Sequence, residues 1–143
     1  MIFGCKTKMV NGKAIGKSVS ATEISKTDEE QKNKAYELGL RILNSCNDNK
    51  FKPFTESEAT AKVIARSTAA NIKSICAKYT LKYGNFKSLE FVEMIPNKTD
   101  NTTIYRFKAY FEYEKANKEL RVTMNSENKA SAISTKDWKD QFE

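Results

Sequence analysis

The order of hydrophobic patterns along the chain predicts an α+β fold, with N-terminal helices packed on a four-stranded antiparallel sheet. Three observations carry this. Apolar residues recur at helical spacing between positions 27 and 83, they alternate with period two from Leu89 onward, and Gly84 stands where the period changes. At 143 residues the chain is one domain by size. A chain of that length buries about two thirds of its unfolded surface, so it needs neither a metal nor a disulfide to fold.

Thr27-Asp28-Glu29-Glu30 opens the first helix, with a capping hydroxyl and then acids that suit the positive end of the helix dipole. Ala35, Leu38, Ile42 and Cys46 recur on one face with Leu43 beside them, and the helix stops within Asn47 to Lys50. Gly39 inside this run is either a small penalty or a point of close packing. Phe51 and Phe54 flank Pro53 in the next loop and are expected to plug the core. Thr55 with Glu58 forms a second capping box, which predicts a helix from Glu56 to about Arg66. Ser67-Thr68 caps a third helix, whose stripe Ile72, Ile75, Cys76, Tyr79 and Tyr83 lies on one side. Gly84 is the natural stop, because the residue after a helix often takes positive φ.

The first strand runs from Leu89 to Ile95 and ends at Pro96. The polar loop after it contains two Asn-x-Thr triplets, at Asn97 and Asn101, which read as hairpin residues. In the strand that follows, Tyr105, Phe107, Ala109, Phe111 and Tyr113 share one face and Arg106, Lys108, Tyr110 and Glu112 the other. That aromatic row fits the core under the helices or, in part, a homodimer contact through the sheet face. Leu120, Val122 and Met124 share a face of the third strand, and a last strand follows the turn at Ser126-Glu127-Asn128.

Composition narrows the chemistry. The net charge is +7, and residues 50–87 hold eight basic and two acidic side chains, a surplus of six. Of the 25 cations only four are Arg. Lys dominance suits a solvated surface better than base readout, so nucleic acid is not an expected partner. There is no His, which removes Ser/His and Cys/His nucleophiles and the commonest zinc ligand. No cofactor or metal is expected. Three Cys cannot all pair within one chain, and Cys46 and Cys76 fall on helical apolar stripes where Cys behaves as a small core residue.

Ile2-Phe3-Gly4-Cys5 has the form of the end of a bacterial lipoprotein signal, which marks Cys5 as a candidate lipidation site. Residues 6–26 are rich in Lys, Gly, Ser and Thr without sustained periodicity. They suit a flexible tether, residues 1–26, ahead of a single domain over 27–143, or equally an ordinary N-terminal arm.

The helices, the "YGNFKS" junction, the aromatic strand, "FEYEKANKELRVTMN" and "SENKASAIS" together resemble the nuclear transport factor two-like superfamily, in its small uncharacterised bacterial exported branch. The resemblance covers about Asp28 to Trp138. It implies a curved, cone-shaped, cystatin-like sheet wrapped by helices, with a pocket at the open end. The chain departs from the family pattern at Asn128, Ala130 and Ala132, where Gly, Ile and Gly are usual, which leaves the last strand weakly packed. Members serve as enzymes, ligand binders, dimer modules and accessory domains, so the fold alone does not choose a function.

Candidate pocket or interface residues are Glu93, Tyr105, Arg106, Tyr110, Arg121 and Trp138. A carboxylate in an apolar cone can serve as a base. Arg106 and Arg121 on neighbouring strands can clamp an anion, or pair across strands with Glu112 or Glu119. Trp138 can close the cone or anchor a partner. The expectation is a non-catalytic module of the bacterial cell envelope that binds a small ligand or a protein, facing the periplasm and held to the membrane only through a lipid anchor. A narrower version is an inhibitor or immunity-type lipoprotein. The alternatives are a cone-pocket enzyme acting on a small hydrophobic substrate and a cytoplasmic protein.

Overall fold

The computed structural model describes residues 8–10, 13–15, 18–20, 24–113 and 117–143. In chain order these form β1 (Lys8–Val10), β2 (Lys13–Ile15), β3 (Val19–Ser20), α1 (Lys26–Asp48), α2 (Ala61–Arg66), α3 (Ala69–Tyr83), β4 (Phe86–Asn97), β5 (Thr102–Phe111), β6 (Lys118–Met124) and β7 (Ala130–Asp137). The four long strands make an antiparallel meander in the order β4-β5-β6-β7, with helices packed on one face, so the α+β class is as expected.

The sheet has a fifth member, because β3 joins the β4 edge with Val19 opposite Met94. Part of the stretch expected to be a flexible tether is therefore structured, and β1 and β2 pair antiparallel as well. Val19 also packs on the core, which gives the short strand an apolar anchor.

α1 is capped two residues before the expected Thr27. Ser25 accepts a hydrogen bond from the Asp28 amide at 3.2 Å and donates to the Asp28 carboxylate at 2.9 Å, so the box closes on Ser25 rather than Thr27. The helix ends at Asn49, whose φ of 59° is tolerated by Asn. A methyl group on Gly39 would press on the Leu120 side chain, so Gly39 marks a close approach of α1 to β6.

α2 is shorter than expected. Thr55 and Glu58 do form their box, with the Thr55 amide donating to Glu58 at 2.9 Å, but it closes a single turn. The backbone then leaves helical geometry to pair with β7. The Ala130 amide donates to the Glu58 carbonyl at 2.9 Å, and the Thr60 amide to the Ala130 carbonyl at 3.0 Å. Thr60 caps what remains. Ala130 is fully buried at this junction, so the small residue expected to weaken the last strand is where α2 docks on it.

Gly84 ends α3 with φ 79° and ψ −163°, a region essentially reserved for Gly. A Cβ there would lie 2.7 Å from the Cβ of Glu112. Bulges at Phe86/Ser88 and Phe91/Glu93 add local bend to β4, which runs longer at both ends than its alternating segment.

Tyr105, Phe107, Ala109 and Phe111 of β5, with Leu120, Val122 and Met124 of β6, are buried under Ala35, Leu38 and Leu43. Tyr113 falls beyond the end of β5 and is exposed. Cys46 and Cys76 are bonded to each other in a disulfide joining α1 to α3, where the sequence suggested two small core residues. The stripes that carry them face each other, and their Cα atoms lie 4.8 Å apart, within disulfide reach. Cys5 lies outside the described residues.

Candidate functional site

The outer face of the sheet, away from the helices, collects five of the six candidate residues, four of them in one cluster. Arg106 and Arg121 stand directly opposite each other on β5 and β6. Two like charges in that register repel unless acids separate them, and Glu93 and Glu119 do so. Arg106 Nε donates to Glu119 at 2.9 Å and Nη1 to Glu93 at 2.8 Å. Arg121 Nε donates to the other oxygen of Glu119. The Ser18 hydroxyl donates to the free oxygen of Glu93.

The C-terminal segment closes over this quartet. Arg106 donates to the carbonyls of Lys139 and Asp140, and Arg121 to the carbonyl of Glu143 at 2.7 Å. The Trp138 ring lies 4.2 Å from the Arg106 guanidinium and Phe142 lies 4.3 Å from that of Arg121. Phe142 also packs on Ile95 and Ile104 in a small second core. Arg106 is wholly buried, and among the described residues no buried side-chain polar atom lacks a partner.

The cluster therefore holds two cations and two anions with their donors and acceptors engaged. An arginine clamp open to a ligand anion is not what the geometry builds here. It builds the cross-strand alternative, with Glu119 rather than Glu112, which lies instead beside Gly84.

The other two candidates lie outside this cluster. Tyr105 points to the helix side, where its hydroxyl donates to Gln31 at 2.7 Å. Burial, with the nearby Asp28 charge, pushes this phenol well above the ordinary tyrosine range, so it stays a hydrogen-bond donor. Tyr110 sits at the rim of the outer face and donates to Glu90 at 2.8 Å, which raises its pKa. Lys108 lies between the Tyr110 and Trp138 rings, at 5.3 and 5.1 Å.

An apolar open space lies on the helix side, at the β7 end of the sheet. A cavity of about 250 Å³ lies between α3 and the β6–β7 strands. Ile42 and Leu43 of α1, Ile72 and Ile75 of α3, Leu120 of β6 and Ile133 of β7 form its apolar walls. Ile75 is 43 % exposed, part of the stripe turned towards this opening rather than fully into the core. The Tyr79 hydroxyl is hydrogen-bonded to that of Thr135, which ties α3 to β7 across the cavity wall. The Cys46–Cys76 bridge fixes α1 against α3 at its back.

A smaller hollow of about 140 Å³ adjoins it along β7. Arg66, Ser67, Ile133 and Ser134 border both spaces, and Lys62 borders the smaller one. No carboxylate lines either. The docking of Glu58–Thr60 on Ala130 sets α2 alongside β7 and so places Lys62 and Arg66 there. That segment is held from the other side by α1. Arg41 grips Glu58 through two bonds of 3.0 and 2.7 Å, and Lys34 donates to the carbonyls of Ser57 and Asn128.

Sequence reasoning named the α3 stripe that walls this cavity but not the cavity itself. Its signals were Ile133, isolated among small residues on the last strand, and Arg66 at the end of a short helix. No protein-family model, curated protein or solved structure matches the chain.

Proposed function

We propose that the chain is a non-catalytic binding module of the bacterial cell envelope, and that the cavity between α3 and β7 is its binding site. One observation carries the reading: an apolar space of about 250 Å³ whose lining holds no carboxylate. A cavity of about 150 Å³ already accommodates benzene, so this one admits a larger apolar group. Among the described residues its wall carries no carboxylate, histidine or lysine to serve as a general base, and the cysteine there is tied up in a disulfide. The carboxylates of Glu93 and Glu119 are engaged by arginines on the opposite face of the sheet.

The Cys46–Cys76 disulfide supports the compartment, because such bonds persist in oxidising surroundings such as the periplasm. It agrees with Ile2-Phe3-Gly4-Cys5 as a lipidation signal. The order of elements, helices first and then an antiparallel meander, supports the resemblance to the nuclear transport factor two-like superfamily, which belongs to the same proposal.

Binding is tested with a neutral apolar fluorophore, N-phenyl-1-naphthylamine, titrated against the wild-type protein and Ile133→Trp. The larger ring fills the cavity from β7. The fluorophore should brighten on the wild type and bind at least about ten-fold more weakly to a variant that keeps its unfolding midpoint. Equal binding to both would remove the cavity from the account. For the compartment, fractionated cells should yield a membrane-bound form beginning at a diacylated Cys5, and a soluble form beginning at Met1 would overturn that half of the reading.

A further inference from the structure

The cavity and the hollow beside it share one border, and their chemistry differs. The larger is walled on most of its surface by aliphatic side chains. The smaller is bordered by Lys62 and Arg66 with the hydroxyl residues Ser67, Ser131 and Ser134. Lys62 and Arg66 are four residues apart on α2 and both are exposed. Neither makes an ion pair among the described residues, whereas Lys32, Arg41, Arg106, Lys118, Arg121 and Lys139 all do. Exposed cations need no partner, but here two lie without a counter-charge at the mouth of an apolar space. They also belong to the most basic part of the chain, residues 50–87 with eight cations and two anions.

An apolar chamber with two cations and hydroxyls at its rim is complementary to a molecule with an apolar chain and an anionic end. We propose that the two spaces form one bipartite site for a single-chain fatty carboxylate of medium length. The hydrocarbon lies in the cavity between Ile75 and Ile133, and the carboxylate is held by Arg66 and Lys62 with the Ser134 hydroxyl. Arg66 borders both spaces, so it marks where the chain gives way to the head. Its planar fork matches a carboxylate in two parallel bonds. This inference rests on the cavity being the binding site and adds the class of ligand.

The test is displacement of bound N-phenyl-1-naphthylamine by decanoate, 1-decanol and decyltrimethylammonium, which share a chain and differ in the charge at its end. The proteins are the wild type and Lys62→Gln/Arg66→Gln. Both residues are exposed, so the double variant should fold. On the wild type, decanoate should displace the probe about ten-fold more tightly than decanol, as expected for charge-assisted hydrogen bonds, and the ammonium least well. In the double variant decanoate should fall to within about two-fold of decanol, with decanol unchanged. Equal affinity of decanoate and decanol on the wild type overturns the proposal, as does a decanoate preference that survives the double substitution. A probe that binds but yields to none of the three also overturns it while leaving the cavity as the site. A probe that does not bind at all removes the cavity reading and the proposal together.

Discussion

Arg106 is fully buried on a sheet face that alternation assigns to solvent. Its guanidinium survives there because two carboxylates, two carbonyls and a tryptophan face surround it. The worth of such a cluster shows when one member goes. Arg106→Met leaves Glu119 buried with half its counter-charge removed, and breaking a buried pair from one side costs about 3–5 kcal/mol. A urea melt should show that loss, and a change below about 1 kcal/mol would mean the quartet is better hydrated than its burial indicates. The sequence made Arg106 and Arg121 neighbours, since both fall on the outward set of adjacent strands. It left open what they hold, because that depends on the exact register and on the last six residues. Asp140 to Glu143 show no periodicity, so the way Phe142 and the terminal carbonyls close on the arginines was not legible.

Among the elements, the position of α2 and α3 against the sheet decides whether the cavity exists. Two covalent or ionic ties hold that position. The disulfide closes a loop with a sequence separation of 30. In the chain-entropy view this stabilises by ~3–4 kcal/mol. Cys46→Ser/Cys76→Ser should lose roughly that in unfolding free energy in a denaturant melt, and binding of the neutral fluorophore should weaken with it. A double variant as stable as the wild type would show that α1–α3 packing suffices.

The second tie is Arg41 with Glu58. The guanidinium holds the Glu58 carboxyl down at about 2, from an ordinary 4.5. A carboxyl with a depressed folded pKa contributes its stability above the unfolded value and loses it as pH falls through the folded one. Wild-type stability should therefore drop between about pH 5 and pH 2 more steeply than that of Glu58→Gln, by about 1 kcal/mol for a partly exposed bidentate pair. Parallel pH profiles would mean the pair adds nothing to folding. Helix existence was readable from apolar spacing, and Thr68 caps α3 with a side-chain bond as expected, whereas α1 and α2 are capped by Ser25 and Thr60 instead of Thr27 and Thr55. The early end of the Thr55–Glu58 turn was not readable, because the pairing with Ala130 is long-range. The disulfide was hidden for the same reason: each cysteine sat on a visible stripe, but only the packing of two helices brings the stripes together.

The two faces of the sheet are covered in different ways. The outer face is closed over Arg106 and Arg121 by the chain's own C-terminal segment. The inner face is filled by aromatic and aliphatic core except at the β7 end, where α3 stands off and Ile75 and Ile133 border open space. Period two and period 3.6 revealed which residues point inward. They did not reveal where the helices fail to cover the sheet, because coverage follows from helix placement rather than from pattern. That uncovered end is the proposed site of ligand binding. The most direct test is the methyl spectrum of protein labelled at isoleucine δ1 positions, recorded with and without decanoate. Resonances of Ile42, Ile72, Ile75 and Ile133 should shift, while Ile95 and Ile104, on the opposite face with Phe142, stay in place. Shifts confined to Ile95 and Ile104, or none at all, would contradict the account.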